Sequence, residues 1–355
     1  MHQPERVATH TIDCRWIGRH GIGRFAAELH ARLPGFAALA LRGRPSSPLD
    51  PWMLRRHLQR TRTTFFFSPG YNAPARSPCA FAFCVHDLNH LHVRENSSAL
   101  KRAYYEQLIR PAMHAAAVVF TVSAFSRAAL CDWSGVSEES VVNVGNGASA
   151  AFTPTGSVAD FGRPYFLYVG NHKPHKNILG LLRAFAASGL QREFLLVATG
   201  RPEPALRQAI ALLALADAVR FVGSVTDEQL AALYRGATAL ALLSTHEGFG
   251  LPVLEAMSCG TPVLCSTSTA LPEIAGGAAL LVEAARIDDV STAMRELARN
   301  EELRRSLRLR GRERARAFSW DRTAHEVQRA LAARGLLRPV DSPSSPRESR
   351  ACASR

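Results

Sequence analysis

Apolar residues along this chain gather in short unbroken runs separated by longer stretches in which apolar and polar positions recur with a helical period. Unbroken runs read as strands buried on both faces and the periodic stretches as helices covering them, so the pattern predicts strand-helix-strand units around parallel sheets. In the first half the alternating segments are residues 7–12, 25–33, 37–41, 51–60, 63–67 and 80–85. Helices at 111–117 and 126–133 follow around a strand at 118–122, and a run at 141–147 closes the half.

Residues 153–164 (TPTGSVADFGRP) break the pattern with Pro, Gly and Ser and mark a domain boundary. The second half repeats the design, with strands at 165–169, 194–198, 219–221, 239–243, 262–265 and 279–282. Its helices are expected at 178–188, 203–214, 226–235, 252–259, 287–300 and 301–317. Thr226 with Gln229 three residues on forms a capping box at one helix start. The expected fold class is α/β: two Rossmann-like doubly wound domains, 1–155 and 165–317, facing a cleft. A Pro/Ser/Arg tail over 338–355, after a segment at 318–337, is expected to be disordered.

Composition narrows the possibilities. The chain has 355 residues, of which 47% are hydrophobic and 21% charged, which excludes a disordered or fibrous chain. No apolar stretch reaches the ~20 residues of a membrane span, and the N-terminus lacks the apolar centre of an export signal, so the cytoplasm is the expected compartment. The seven cysteines are scattered without zinc spacing and read as free thiols. The net charge of +13 sits at the two ends: residues 1–62 carry +7 and residues 301–355 carry +7, mostly as arginine. An anionic partner surface suits that polarity, or merely solvated arginine-rich faces. Nucleic acid is disfavoured, because no aromatics interleave the basic stretches and no basic-region or finger motif is present.

Ligands of open parallel sheets bind beyond the carboxyl ends of strands, so loops that leave a strand and open a helix carry the chemistry. Three such loops stand out. In the first, residues 18–24, Gly18, Gly21 and Gly23 offer bare backbone to a phosphate, in an order unlike the dinucleotide fingerprint and without the acidic residue that would hold a nicotinamide ribose. In the second, residues 170–177, Lys173 and Lys176 stand at a helix start, where lysines oppose the helix dipole unless an anion joins them. The third, residues 245–257, places Glu247 in the loop and Glu255 on the first helical turn behind Pro252. One carboxylate can address a sugar and the other a pair of ribose hydroxyls, with the amides of Phe249, Gly250 and Leu251 near the phosphates between them. His86 ends the strand at 80–85 and faces the cleft.

These segments resemble the retaining glycosyltransferases of family four. YVGNHKPHKNILGLLRAF, HEGFGLPVLEAMSCGTPVLCS and LPEIAGGAALLV match the donor domain of that family. GIGRF, HDL (His86 to Leu88), TVSAFSR and VGNGAS match its acceptor domain, and the GIGRF and HKN forms are most similar to mannosyltransferases of bacterial lipopolysaccharide and capsule. The resemblance implies the GT-B fold, with an acceptor-binding first domain, a donor-binding second domain and a C-terminal helix, announced by Phe318-Ser319-Trp320, crossing back to the first. It implies that Lys176 binds the donor diphosphate, Glu255 the ribose and Glu247 the transferred sugar, with Gly21 and Gly23 closing over the phosphates and His86 touching the sugar. Many relatives have an arginine where this chain has Asn171, a charge that Lys173 would replace.

The donor implied is a nucleotide sugar, first GDP-mannose, then GDP-rhamnose, GDP-fucose or a UDP-sugar; no cofactor and no metal are expected, since the chain has no Asp-x-Asp. The acceptor implied is a glycan, free or linked to a polyprenyl diphosphate. It would be met at the inner face of the cytoplasmic membrane, where Trp52, Met53 and Leu54 beside Arg55 and Arg56 can form an interfacial helix on the anionic surface. An epimerase or phosphorylase of the same fold and a non-catalytic basic binding protein are the rival readings.

Overall fold

The computed structural model describes residues 10–18, 20–93 and 97–337. The apolar runs become two sheets in which every pairing between named strands is parallel. The first sheet contains β1 (His10–Ile12), β2 (Phe36–Ala38), β3 (Phe65–Ser68), β4 (Ala80–Cys84), β5 (Val118–Thr121) and β6 (Val141–Asn143), in the order β2-β1-β3-β4-β5-β6. Its helices are α1 (Gly21–Arg32), α2 (Asp50–Thr61), α3 (Asn89–His92), α4 (Ala99–Tyr104), α5 (Arg110–Ala115) and α6 (Ala124–Ser134).

The second sheet contains β7 (Tyr165–Tyr168), β8 (Leu195–Ala198), β9 (Val219–Phe221), β10 (Ala239–Leu242), β11 (Val263–Ser266) and β12 (Leu280–Val282), in the order β12-β11-β10-β7-β8-β9. Around it lie α7 (Ile178–Ser188), α8 (Pro204–Leu212), α9 (Asp227–Gly236), α10 (Leu251–Ser258), α11 (Leu271–Ala275), α12 (Ile287–Arg299) and α13 (Glu301–Ala315), and α14 (Trp320–Ala332) follows. The strand order reverses direction between β1 and β3 in one sheet and between β7 and β10 in the other, which is where doubly wound sheets open a crevice. The chain thus has the two-sheet architecture the pattern implies.

Two expectations need correction. The strand expected at 37–41 is displaced to Phe36–Ala38, with Leu39 N donating a last bond to Ile12 O at 2.8 Å before the chain leaves the sheet edge. The helix expected at 111–117 begins far earlier. From α4 the chain passes through a wide π turn, Tyr105–Ile109, straight into α5, which has Pro111 near its start. Proline has no N–H and crowds the carbonyl four residues back; the widened turn absorbs both defects without ending the helix. Tyr105, Ile109 and Met113 are buried on that face, so packing sustains what propensity alone does not. The first part of the strand expected at 7–12 and the tail at 338–355 lie outside the described residues.

One continuous core runs from Ile12 and Phe120 of the first sheet through Phe152 and Tyr234 to Val263 of the second. The crevice at the β1/β3 reversal is filled by the chain's own polar groups. Arg15 pairs with Asp13 at 2.7 Å and with Asp50 at 2.6 Å, and Asn72 Nδ2 donates to both carboxylates while its Oδ1 accepts from Trp16 Nε1 at 2.6 Å. Buried charges of this kind persist only when every one is paired, so the network fixes the loops after β1 and β3 as one rigid rim.

Helix α14 begins at Ser319, whose hydroxyl accepts from Arg322 N at 3.1 Å, and it returns to the first domain to pack on α1 and β5. Arg32 of α1 pairs with Asp321 at 2.6 Å, so the two basic ends of the chain adjoin. The return depends on Gly147: a Cβ there would lie 2.3 Å from Trp320 N. Gly147→Ala is therefore expected to destabilise the protein by about 1–3 kcal/mol through overpacking, read from the midpoint of urea unfolding, whereas the same change at open Gly35 should leave the midpoint nearly unmoved.

Candidate active site

The reversal in the second sheet lies between β7 and β10, and the loops leaving these two strands carry the chemistry-bearing residues. After β7, Lys176 ends a single 3-10 turn, Pro174–Lys176. Asn177 then takes a left-handed conformation (φ 52°) and accepts from Gly180 N at 3.2 Å, capping α7 itself. The lysines therefore do not face an open helix end, contrary to the dipole reasoning from the sequence. Lys176 is satisfied instead by Glu247 of the β10 loop, with Nζ 2.7 Å from Oε1. Lys173 is exposed and does not line the cleft, so the second diphosphate cation expected there is not brought to the site.

Helix α10 starts from Gly250, whose φ of 94° and tight approach to Leu271 (2.5 Å for a Cβ) admit only glycine. No side chain caps this helix, and Phe249, Gly250 and Leu251 at its start line the cleft, which makes it an anion-receptive end. Glu255 falls on the second turn of α10 rather than the first. It is 4% exposed. Its Oε2 accepts from the Tyr234 hydroxyl at 2.9 Å and its Oε1 from Arg24 Nη1 at 2.5 Å. Burial pushes the Glu255 carboxyl up, and Arg24 with the tyrosine hydroxyl works against that rise.

The first domain supplies the opposite wall. Gly21 lies across from Leu251, with room for a Cβ contact of 3.6 Å. Gly23 is buried and does not line the cleft: its Cβ would meet Gly18 O at 2.4 Å, so this glycine permits the turn rather than closing over phosphates. His20 Nδ1 accepts from Gly23 N at 3.0 Å and caps α1. His86 lines the cleft with its Nε2 2.9 Å from Pro69 O. A carbonyl only accepts, so Nε2 carries the hydrogen and Nδ1 is left as an acceptor. Burial lowers the His86 pKa and keeps the imidazole neutral.

Glu247, Lys176, Phe249, Gly250, Leu251, Glu255, Gly21 and His86 thus border one cleft of about 1060 Å³ between the domains. Besides Arg24, two further contacts join the domains beside it: Glu273 accepts from Ala124 N at 2.8 Å and Phe125 N at 3.1 Å, and Ser126 Oγ donates to Gly248 O at 3.2 Å. Sequence reasoning missed Arg24, Tyr234, Asp227 and Asn146. Arg24 closes the glycine loop that drew notice, and Asp227 lies inside the capping box, whose two bonds form at 2.9 and 3.3 Å. Asn146 is 5% exposed and borders the cleft with its Oδ1 unpartnered, a vacant acceptor that a ligand hydroxyl can fill.

Comparison with known proteins agrees with this geometry. The model for glycosyl transferases group 1 matches residues 155–314, the stretch that holds the second sheet and every cleft residue after the boundary. The chain carries a glycosyl transferases group 1 domain. The O-antigen chain mannosyltransferase B of Escherichia coli is 28% identical over 284 residues, covering 76% of this chain and 73% of that protein. A serotype-specific mannosyltransferase, WbdA, of the same species is 26% identical over 294 residues; these cover 77% of this chain and 35% of that longer protein, so the chain spans about a third of it. Among solved structures, WaaG, a glycosyltransferase involved in lipopolysaccharide biosynthesis, superposes with a TM-score of 0.72 at 13% identity, over 91% of this chain and 97% of that one. The fold is GT-B.

The arrangement gathers a lysine and an uncapped helix end, which attract negative charge, beside two carboxylates that accept hydrogen bonds. The Lys176–Glu247 pair is largely buried, with side chains 16% and 11% exposed, so each partner depends on the other. Lys176→Met and Glu247→Leu made singly are expected to lower the unfolding midpoint more than the double substitution implies, with a coupling energy of about 0.5–3 kcal/mol from a double-mutant cycle.

Proposed function

We propose that this glycosyltransferase moves mannose from GDP-mannose, with retention at the anomeric carbon, onto a growing or lipid-linked bacterial surface polysaccharide. The observation that carries the reading is the convergence of Lys176, Glu247 and Glu255 with the bare start of α10 at the β7/β10 reversal. The mannosyltransferase relatives favour mannose among the hexoses. Glu255 accepts the ribose hydroxyls, Lys176 and the amides at the start of α10 hold the diphosphate, and Glu247 accepts hydroxyls of the sugar. Bond breaking leaves negative charge on the diphosphate, which these groups are arranged to stabilise. The acceptor hydroxyl attacks from the same face and its proton passes to the leaving phosphate oxygen, so retention needs no enzyme nucleophile and the ion pair is short-lived. Neutral His86 accepts a sugar hydroxyl through Nδ1. Lys176 and the amides at the start of α10 carry the charge stabilisation.

The protein is read as a peripheral one. Trp52 is 53% and Met53 41% exposed on α2, next to exposed Arg56, and Leu49 stands out just before the helix. Leu54, expected with them, is buried in the core and takes no part. No helix of the described residues is long and apolar enough to cross a membrane. The same cleft also suits another GDP-sugar or a UDP-sugar, and nucleotide binding separates these.

Thermal unfolding in the presence of GDP, UDP or dTDP, without added metal, is the first test. A nucleotide at 100 times its dissociation constant adds about 2.7 kcal/mol, and GDP alone is expected to do so, with the gain abolished in Glu255→Ala. Lys176→Ala should lower turnover of GDP-mannose by about 10²–10³. Vesicles containing anionic lipid should float the protein at low salt and release it at high salt, and Trp52→Ser with Arg56→Ser should weaken flotation without changing turnover of a soluble acceptor. Stabilisation by UDP alone would redirect the reading to a UDP-sugar.

A further inference from the structure

Arg24 comes from the first domain yet spends its guanidinium on the second. Nη1 lies 2.5 Å from Glu255 Oε1 and Nη2 2.6 Å from Asp227 Oδ1, while the flat group stands 5.4 Å over the ring of Phe152. Three partners on three segments hold one fork, and the carboxylate it touches is the one read above as the ribose acceptor. We propose that Arg24 is a positioning residue for the nucleotide donor: it keeps Glu255 ionised and fixes its distance from the glycine loop, so that the carboxylate accepts both ribose hydroxyls. The inference rests on the reading of Glu255 as the ribose ligand.

The physical need is plain. A carboxylate this deeply buried becomes neutral unless cations and donors compensate its lost hydration, and a neutral carboxyl has a hydrogen of its own that conflicts with an incoming hydroxyl donor. The charged or titratable groups around Glu255 are Arg24 from α1, Tyr234 and Asp227 from α9, and Cys259 just past the end of α10. Asp227 and the buried phenol and thiol supply no positive charge, so Arg24 alone in this set is a cation. Each oxygen of Glu255 accepts one bond and keeps a lone pair, which leaves room for the ribose diol without displacing Arg24. Because Arg24 is the fourth residue of α1, the same fork also holds Gly21 opposite the start of α10. A single point charge at this position cannot span Glu255 and Asp227 together, which separates the part played by charge from that played by geometry.

The test compares wild type, Arg24→Gln and Arg24→Lys in the full-length protein, with Glu255→Gln to assign the signal. Infrared difference titration reads the protonated-carboxyl band of Glu255 without any ligand, and calorimetry reads binding of GDP, UDP and dTDP from about pH 6 to 8. The expected result is a Glu255 band that persists to higher pH in Arg24→Gln than in wild type. Nucleotide binding in that variant then weakens about tenfold per pH unit below the shifted titration. Arg24→Lys is expected to keep the wild-type pH profile while binding more weakly at every pH, and it carries the test if the glutamine variant does not fold. An unchanged Glu255 band in Arg24→Gln, or a loss of affinity equal at all pH values, would overturn the proposal and leave Arg24 a mere tie between domains. Wild type that binds none of the three nucleotides would sink the donor reading instead, while the infrared titration still decides whether Arg24 sets the charge of Glu255.

Discussion

Two carboxylates stand almost dehydrated in the floor of the cleft, and the structure around them is arranged to keep them useful. Lost hydration costs an ionised group far more than any ordinary contact returns, so each must be given a cation and hydrogen-bond donors at fixed places. Glu247 receives Lys176 from the neighbouring strand loop, and Glu255 receives Tyr234 from its own domain and Arg24 from the other. That last pairing makes the separation of the domains and the charge of the site a single problem. The two domains are tied by Arg24 on one side and by the Glu273 bonds to the α6 start on the other.

The two sheets divide the work unequally. In the second, the crevice at the strand-order reversal is open and lined with polar groups that await a ligand. In the first, the equivalent crevice is closed by Asp13, Arg15, Asp50 and Asn72, whose mutual bonds leave little for a ligand to satisfy. A fold that repeats one architecture twice thereby keeps one crevice open and turns the other into a rigid rim, from which the glycine loop and His86 border the cleft. Helix α14 extends this logic, because a C-terminal segment packed on the first domain links both halves through Trp320 as well as through the linker.

Much of this was legible in the sequence. The strand-helix alternation gave the parallel sheets, because strands buried on both faces must be uniformly apolar and period alone distinguishes them from amphipathic helices. The glycine, lysine and glutamate loops were legible because each follows a strand and opens a helical segment. Less legible was the stretch from 89 to 115, where a proline inside a helix reads as a boundary and only packing of Tyr105 and Ile109 shows that the helix continues. Gly23 and Lys173 were legible as residues but not in their roles, since a glycine demanded by a backbone crossing and one demanded by a phosphate look alike along the chain.

By itself the sequence determined the fold class, the place of the crevice and the chemical types gathered there, because periodicity and loop position are local properties. Tertiary structure decided which of those groups meet. Arg24 lies 231 residues from Glu255, and a pairing across such a separation leaves no periodic trace. It depends on how two domains close, which is fixed by surfaces that become neighbours only after each has folded. The chain states that cations and carboxylates are present; the packing of the two domains decides which cation meets which carboxylate.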